Sequence, residues 1–217
     1  YVSNDILIDG YYEIKELKTL CEWLKKKDKL NYVADVGAYL GNHSVFFSEY
    51  FKNVLSFEPN TFSYKLLKIN AKNKKNIKIH NFGLSDKNSL KDFYSYNSNY
   101  GGSSTKKNSS IKFTKLKAKF IKFDNLKIKK KIDLIKIDVE GDELNVLKGM
   151  EKYIQNFNPI IIFECQKEEI KNGTTKVIKF LKSKGYTKFY SIENFNSSKV
   201  NLFDKMLRLS FGDTTLK

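Results

Sequence analysis

An α/β fold is predicted: a doubly wound, Rossmann-like, mostly parallel seven-stranded sheet that finishes in an antiparallel C-terminal hairpin. β-Branched runs alternate with amphipathic stretches from residue 32 to residue 80 and again after residue 134, the pattern of βαβ units. A glycine-bearing turn, Gly37 to Gly41, leads from the first strand into a helix. Ile160-Ile161-Ile162-Phe163 is a nearly continuous apolar run, as a central parallel strand buried on both faces requires.

In chain order, Ile14 to Lys27 reads as a helix, because Leu17, Leu20, Trp23 and Leu24 recur at helical spacing. Tyr32-Val33-Ala34-Asp35-Val36 is a short strand ending at Gly37, and a helix carrying Val45, Phe46 and Phe47 starts near Asn42. Val54 to Phe57 is the second strand, stopped by Glu58-Pro59, and the next helix carries Phe62, Leu66, Leu67 and Ile69 as its apolar set. Ile77 to His80 is the third strand. Residues 86–110 change character: Ser, Asn, Tyr and Gly dominate, and Tyr100-Gly101-Gly102-Ser103-Ser104 reads as loop chemistry. Leu116, Ala118 and Phe120 alternate with Lys115, Lys117 and Lys119, a strand with one wet face. The stretch 86–124 is therefore read as an insertion, a lid or substrate wall, within a single domain spanning 1–217. Leu134 to Asp138 is a strand, and Leu144, Leu147, Met150 and Ile154 form one face of a single following helix. A helix near Thr174–Lys184 precedes two last strands, Lys188 to Tyr190 and Met206 to Leu209, which a polar loop joins.

Composition narrows the class. The 217 residues are 41% hydrophobic and 14% aromatic, enough for one core and too much for a disordered chain. No run reaches the roughly 18 apolar residues of a membrane helix. Cys21 and Cys165 are the only cysteines, which argues against a disulfide scaffold or a cysteine-rich zinc site and fits a reducing, cytoplasmic setting. The chain begins at Tyr1 rather than methionine, which leaves a preceding signal segment open. The net charge of +16 favours polyanionic partners. Arg208 is the sole arginine, and nucleic-acid readers usually rely on arginine for bidentate contacts. The lysine excess thus reads either as a solvated, compositionally biased surface or as an anion-binding face.

In an open α/β sheet, ligands bind outside the carboxyl ends of the strands. Those ends carry Asp35, Gly37 and Gly41, then Glu58, then the segment His80-Asn81-Phe82-Gly83, then Asp138 and Glu140, then Glu164. So many acids at one edge need partners or a ligand. Asp35-Val36-Gly37-Ala38-Tyr39-Leu40-Gly41 is a glycine turn, and Glu58 ends the next strand at about the 20-residue distance used to bind ribose hydroxyls. Tyr39 occupies the place of a middle glycine, which disfavours a dinucleotide pyrophosphate and suits adenosine joined to something without phosphate.

With these segments in order, followed by Gly83-Leu84-Ser85-Asp86, Lys136-Ile137-Asp138-Val139-Glu140-Gly141-Asp142-Glu143 and Pro159 to Glu164, the chain resembles the FkbM family across residues 33–164. These are class I S-adenosylmethionine-dependent methyltransferases, many of which O-methylate sugars. The resemblance implies that Gly37, Ala38, Tyr39 and Gly41 form the loop under the methionine part, with Asp35, His43 and Ser44 close by. It implies Glu58 on the ribose, with Pro59 beside it, and Phe82 and Gly83 bordering adenine. It places Asp138 and Glu140 at the transferred methyl and the acceptor hydroxyl. Tyr39 stands where the family often has asparagine, and Asn42-His43-Ser44 also departs from its pattern.

Two routes to an activated hydroxyl follow. Asp138 accepts the proton, given a pKa raised by burial or neighbours. Alternatively, magnesium or manganese between Asp138 and Glu164 acidifies the hydroxyl. His43 is read as a base or as a lining residue at the helix start, and His80 as a core or edge residue. Asp142 and Glu143 are assigned to helix capping, and Asp124 to structure. The expected acceptor is a sugar, nucleotide-activated or within a surface glycan in polysaccharide biosynthesis. RNA methylation through the lysine-rich surface ranks second, and a non-catalytic binding module third.

Overall fold

The computed structural model describes residues 14–96, 99–104, 113–164, 174–192 and 209–213. A seven-stranded sheet forms the centre. Its strands are β1 (Tyr32–Val36), β2 (Asn53–Phe57), β3 (Ile77–His80), β8 (Leu134–Ile137), β9 (Ile160–Glu164), β10 (Lys188–Ile192) and β11 (Leu209–Asp213), in the order β10-β11-β9-β8-β1-β2-β3. The pairs from β3 through β9 are parallel, and β11 runs antiparallel between β9 and β10. The last strand thus falls further along the chain than Met206 to Leu209, and residues 193–208 lie outside the described residues.

Among the described residues six α-helices flank the sheet: α1 (Ile14–Lys25), α2 (Asn42–Phe47), α3 (Thr61–Asn70), α4 (Glu143–Gly149), α5 (Glu151–Phe157) and α6 (Lys176–Ser183). Successive strand residues point to opposite faces, so the strands feed two cores. Val33, Val54, Leu134, Ile160 and Ile162 pack with Leu17, Leu20 and Leu24 of α1 and Phe46 and Phe47 of α2. Ala34, Val36, Ile135, Ile137, Ile161 and Phe163 pack with Val146 and Leu147 of α4, Ile154 of α5 and Leu181 of α6. Each Val, Leu, Ile or Phe among them, fully buried, contributes about 1.5–3 kcal/mol. Cys21 lies inside the first core, and burial pushes its thiol up to about 12.

Three expectations change. The helix expected from Leu144 through Ile154 is two helices broken at Met150. Gly149 ends the first, where an added Cβ would lie 2.0 Å from the Ser85 carbonyl oxygen, so the chain is pressed against the preceding segment and turns. In α3, Leu67 is buried but Phe62 and Ile69 are 60% and 59% exposed. The helix contacts the sheet through a narrower stripe than its apolar residues suggest. Tyr100 to Ser104 is not loop: it is the backbone of a strand.

That strand belongs to a second sheet, of order β4-β7-β5-β6, built from β4 (Gly83–Leu84), β5 (Ser89–Tyr96), β6 (Asn99–Ser104) and β7 (Phe113–Ile121). Phe93, Ala118 and Phe120 form its small core, while Lys115, Lys117 and Lys119 face solvent. β4 follows β3 after two residues, so this sheet stands directly beside the carboxyl edge of the first. No helix among the described residues is long and apolar enough to cross a membrane.

Candidate active site

The sheet reverses direction of winding between β1 and β8, and the crevice opens there, as in other doubly wound sheets. The Asp138 amide donates to the Val36 carbonyl (3.0 Å), and the Gly37 and Ala38 amides both donate to the Phe57 carbonyl (3.0 and 3.1 Å). These bonds stitch the tips of β8, β1 and β2 together. Gly37 has φ +81°, and an added Cβ would lie 1.8 Å from the Asp138 carbonyl oxygen. Only glycine serves there. Gly41, at φ +87°, starts α2 with Leu67 where its Cβ would be.

Glu58 links the glycine loop to α3. Its Oε2 accepts from the Tyr39 amide (2.8 Å) and its Oε1 from the Asn60 amide (2.7 Å). Asn60 caps α3 by accepting from the Phe62 and Ser63 amides. Asn81 donates to the Glu58 and Pro59 carbonyls (3.0 and 3.4 Å). Burial pushes the Glu58 carboxyl up to about 7 against those two amide bonds, with Asp35 adding to the rise.

Beneath the loop, Asp35 is fully buried. It accepts from Ser44 Oγ (2.6 Å), which also meets Ser56 Oγ (2.8 Å). Lys136 Nζ, 4% exposed, lies 3.5 Å from Asp35 Oδ1 and 3.0 Å from Asp138 Oδ2. Burial works to raise the Asp138 carboxyl, but Lys136, His43 and a hydrogen bond with Glu164 hold it below the ordinary value. Glu164 is pushed up to about 8 by burial and by the charges of Asp138, Glu140 and Glu143. Burial, Asp138 and Glu143 push Glu140 up to about 7. Asp138 thus lacks the raised pKa expected of it; Glu140 and Glu164 have it. The ammonium sits against Asp138, and the other two acids share a crowded, half-buried environment.

Asp138, Glu140 and Glu164 each bring a carboxylate oxygen within 4.8 Å of the others. This all-oxygen set fits a hard divalent cation. The loop between Asp138 and α4 is pinned by Glu143, whose Oε1 accepts from the Val139 and Gly141 amides (3.2 and 3.0 Å). Asp142, expected as a cap, makes no capping bond and accepts from the Asn145 side chain instead (2.6 Å). Asp124 is structural: it accepts from the Lys152 and Tyr153 amides at the start of α5.

These tips surround a cleft with about 570 Å³ of atom-free space, lined by Gly37, Tyr39, Glu58, Pro59, Gly83, Asp138 and Glu140 together with Phe93 and Phe120 of the second sheet. Tyr39 (φ 49°) and Glu140 (φ 55°), both lining it, take the left-handed backbone that side chains avoid, as functional segments often do. Asp35, His43 and Ser44 lie buried behind the lining, and Ala38 and Gly41 shape the loop. Phe82 does not line the cleft; it packs with Phe57 and with His80, which stacks on Phe57 at 5.0 Å. Burial lowers the His80 pKa. Sequence reading missed Lys136, although a lysine inside the apolar run Leu134 to Ile137 is itself a sign of a buried partner.

Comparison with known proteins agrees with this architecture. No curated protein sequence matches the chain. A methyltransferase FkbM from Methylobacillus flagellatus superposes with TM-score 0.56 at 15% identity, over 85% of this chain and 44% of that one. This chain therefore spans less than half the length of that structure. An rRNA methylase from Streptococcus thermophilus gives TM-score 0.50 at 9% identity, covering 85% and 88% of the two chains. Aeropyrum pernix fibrillarin with natively bound S-adenosyl-L-methionine gives 0.50 at 10% identity, covering 84% and 66%. At such identities these likenesses establish the fold. The sequence family described as the methyltransferase FkbM domain matches residues 35–188, more than half of the chain, and the protein belongs to that family.

Proposed function

We propose that this protein transfers a methyl group from S-adenosylmethionine to a sugar hydroxyl. The observation that carries the reading is the convergence of Glu58, Asp138 and Glu140 on one cleft beside a glycine loop. The residues fit the cofactor. Each Glu58 oxygen accepts one backbone amide, and its remaining lone pairs suit the two ribose hydroxyls. The acids around Lys136 favour a positively charged sulfonium.

When bound, S-adenosylmethionine supplies an electrophilic methyl that an oxygen displaces in line, the C–S electron pair leaving with sulfur. The chain's own residues align and deprotonate the oxygen. Glu140, raised to about 7 and lining the cleft, is matched to neutral pH as the proton acceptor. Asp138, held ionised by Lys136, orients the acceptor hydroxyl by accepting a hydrogen bond. Gly37 and Tyr39 hold the loop against Glu58, which places the reacting centres. In the alternative route Asp138, Glu140 and Glu164 would hold a magnesium or manganese ion, which would stabilise charge on the hydroxyl oxygen, with Glu140 then a ligand and not the proton acceptor. The buried Cys21 thiol is consistent with a reducing, cytoplasmic setting.

A second reading, RNA methylation, is favoured by Lys115, Lys117 and Lys119, exposed along one face of β7. Phosphate binding of that kind weakens steeply with salt. A screen of nucleotide-sugars, glycans and RNA with isotope-labelled donor decides between the readings. Labelled sugar is expected, with Glu140→Gln losing at least a hundredfold in turnover while its affinity for S-adenosylhomocysteine stays within twofold. Labelled RNA, with no labelled sugar, overturns the sugar reading.

A further inference from the structure

A second pocket adjoins the cleft and shares Pro59 and Phe93 with it. It opens between the start of α3 and strand β7, with about 640 Å³ of atom-free space. Phe62 lines it and is 60% exposed. Lys65 and Lys117 line it from opposite elements, and both are exposed. Asp92, which lies opposite Lys117 in the β5–β7 pair and feels its charge, makes its close ion pair with the neighbouring Lys115 at 2.9 Å. Leu116 supplies an apolar wall. An exposed aromatic face beside two lysines complements a flat ring carrying negative charge.

We propose that this pocket binds the nucleoside phosphate portion of the acceptor: the base lies on Phe62 and the phosphates lie between Lys65 and Lys117. The proposal rests on the methyl-transfer reading for the role of the ligand, and on the pocket alone for its binding. A nucleotide-linked sugar held there has its sugar free to reach past Phe93 toward the donor cleft. A nucleotide within a single-stranded RNA offers the same ring and charge.

The test is calorimetric titration of the S-adenosylhomocysteine-loaded protein with UDP, GDP and ADP, and with a ten-residue oligouridylate. At least one diphosphate is expected to bind below about 1 mM. Phe62→Ala, and the paired Lys65→Ala and Lys117→Ala, are expected to weaken it at least fivefold, with affinity for S-adenosylhomocysteine unchanged. That unchanged affinity also reports that the variants fold. If the oligonucleotide binds tighter than any diphosphate and loses affinity in the same variants, the pocket is upheld and its nucleotide comes from RNA. The proposal is overturned if no nucleotide binds, if the variants bind as well as wild type, or if S-adenosylhomocysteine displaces the nucleotide, which would place it in the donor cleft. Failure of S-adenosylhomocysteine itself to bind sinks the methyl-transfer reading separately; UDP titrated into the unloaded protein then judges the pocket.

Discussion

Lys136 lies between the fully buried carboxylate of Asp35 and the partly exposed one of Asp138. A buried ion pair adds little over an apolar replacement of the whole set, but removing one member strands the others. Lys136→Met is therefore expected to lower stability by about 3–5 kcal/mol in urea denaturation. Stability equal to wild type would mean that water reaches Asp35 and Asp138 in its place. At this scale the sequence was legible where chemistry and position coincide. Asp35, Glu58 and Asp138 each end a strand, so a linear reading finds them. What it could not show was who neutralises whom. Lys136 sits two residues from one partner and a hundred from the other, and only the pairing of β1 with β8 joins them. The same blindness led to a raised pKa being expected of Asp138, whose environment depends on Glu164 from a third strand.

Strands were easier to read than helices. Alternate residues of β1, β8 and β9 divide between two cores, and their apolar runs are long enough to be unmistakable. Helical spacing in α3 was real, yet Leu67 is buried while Phe62 and Ile69 stay exposed, Phe62 on the second pocket. The glycines of the 100–104 segment disguised an edge strand that pairs with β5, the strand just before it in the chain. Among the connecting turns, the one after β1 tolerates least. Gly37→Ala brings a methyl into the Asp138 backbone and imposes a positive φ on alanine. We expect a loss of about 1–3 kcal/mol in thermal or urea denaturation. A tenfold or greater fall in affinity for S-adenosylhomocysteine should accompany it. Wild-type affinity would show that the β1 and β8 tips can separate without harm to the cleft.

For the molecule as a whole, the cleft acids set a pH response. Glu58 and Glu140 titrate near 7 and Glu164 near 8, all raised from the ordinary 4.5, with burial the largest cause in each case. A raised acid favours folding while protonated, so its contribution is complete below about 4.5 and is lost as pH climbs through the folded-state value. The ligand-free protein should therefore melt at a lower temperature at pH 8.5 than at pH 6, and Glu58→Gln should flatten part of that slope. The sulfonium donor favours the ionised acids, so the melting-point gain on adding S-adenosylmethionine should grow over the same interval. A gain independent of pH would show that these carboxyls do not face the donor.

Phe93 belongs to the linings of both hollows and packs on Phe120 from the adjoining strand. A partition made from this ring and Pro59 is easily redrawn. Trimming it would throw two chambers into one and admit bulkier guests, whereas a larger indole would seal them apart. The size of both hollows thus depends on a side chain of the smaller sheet as well as on the strand tips.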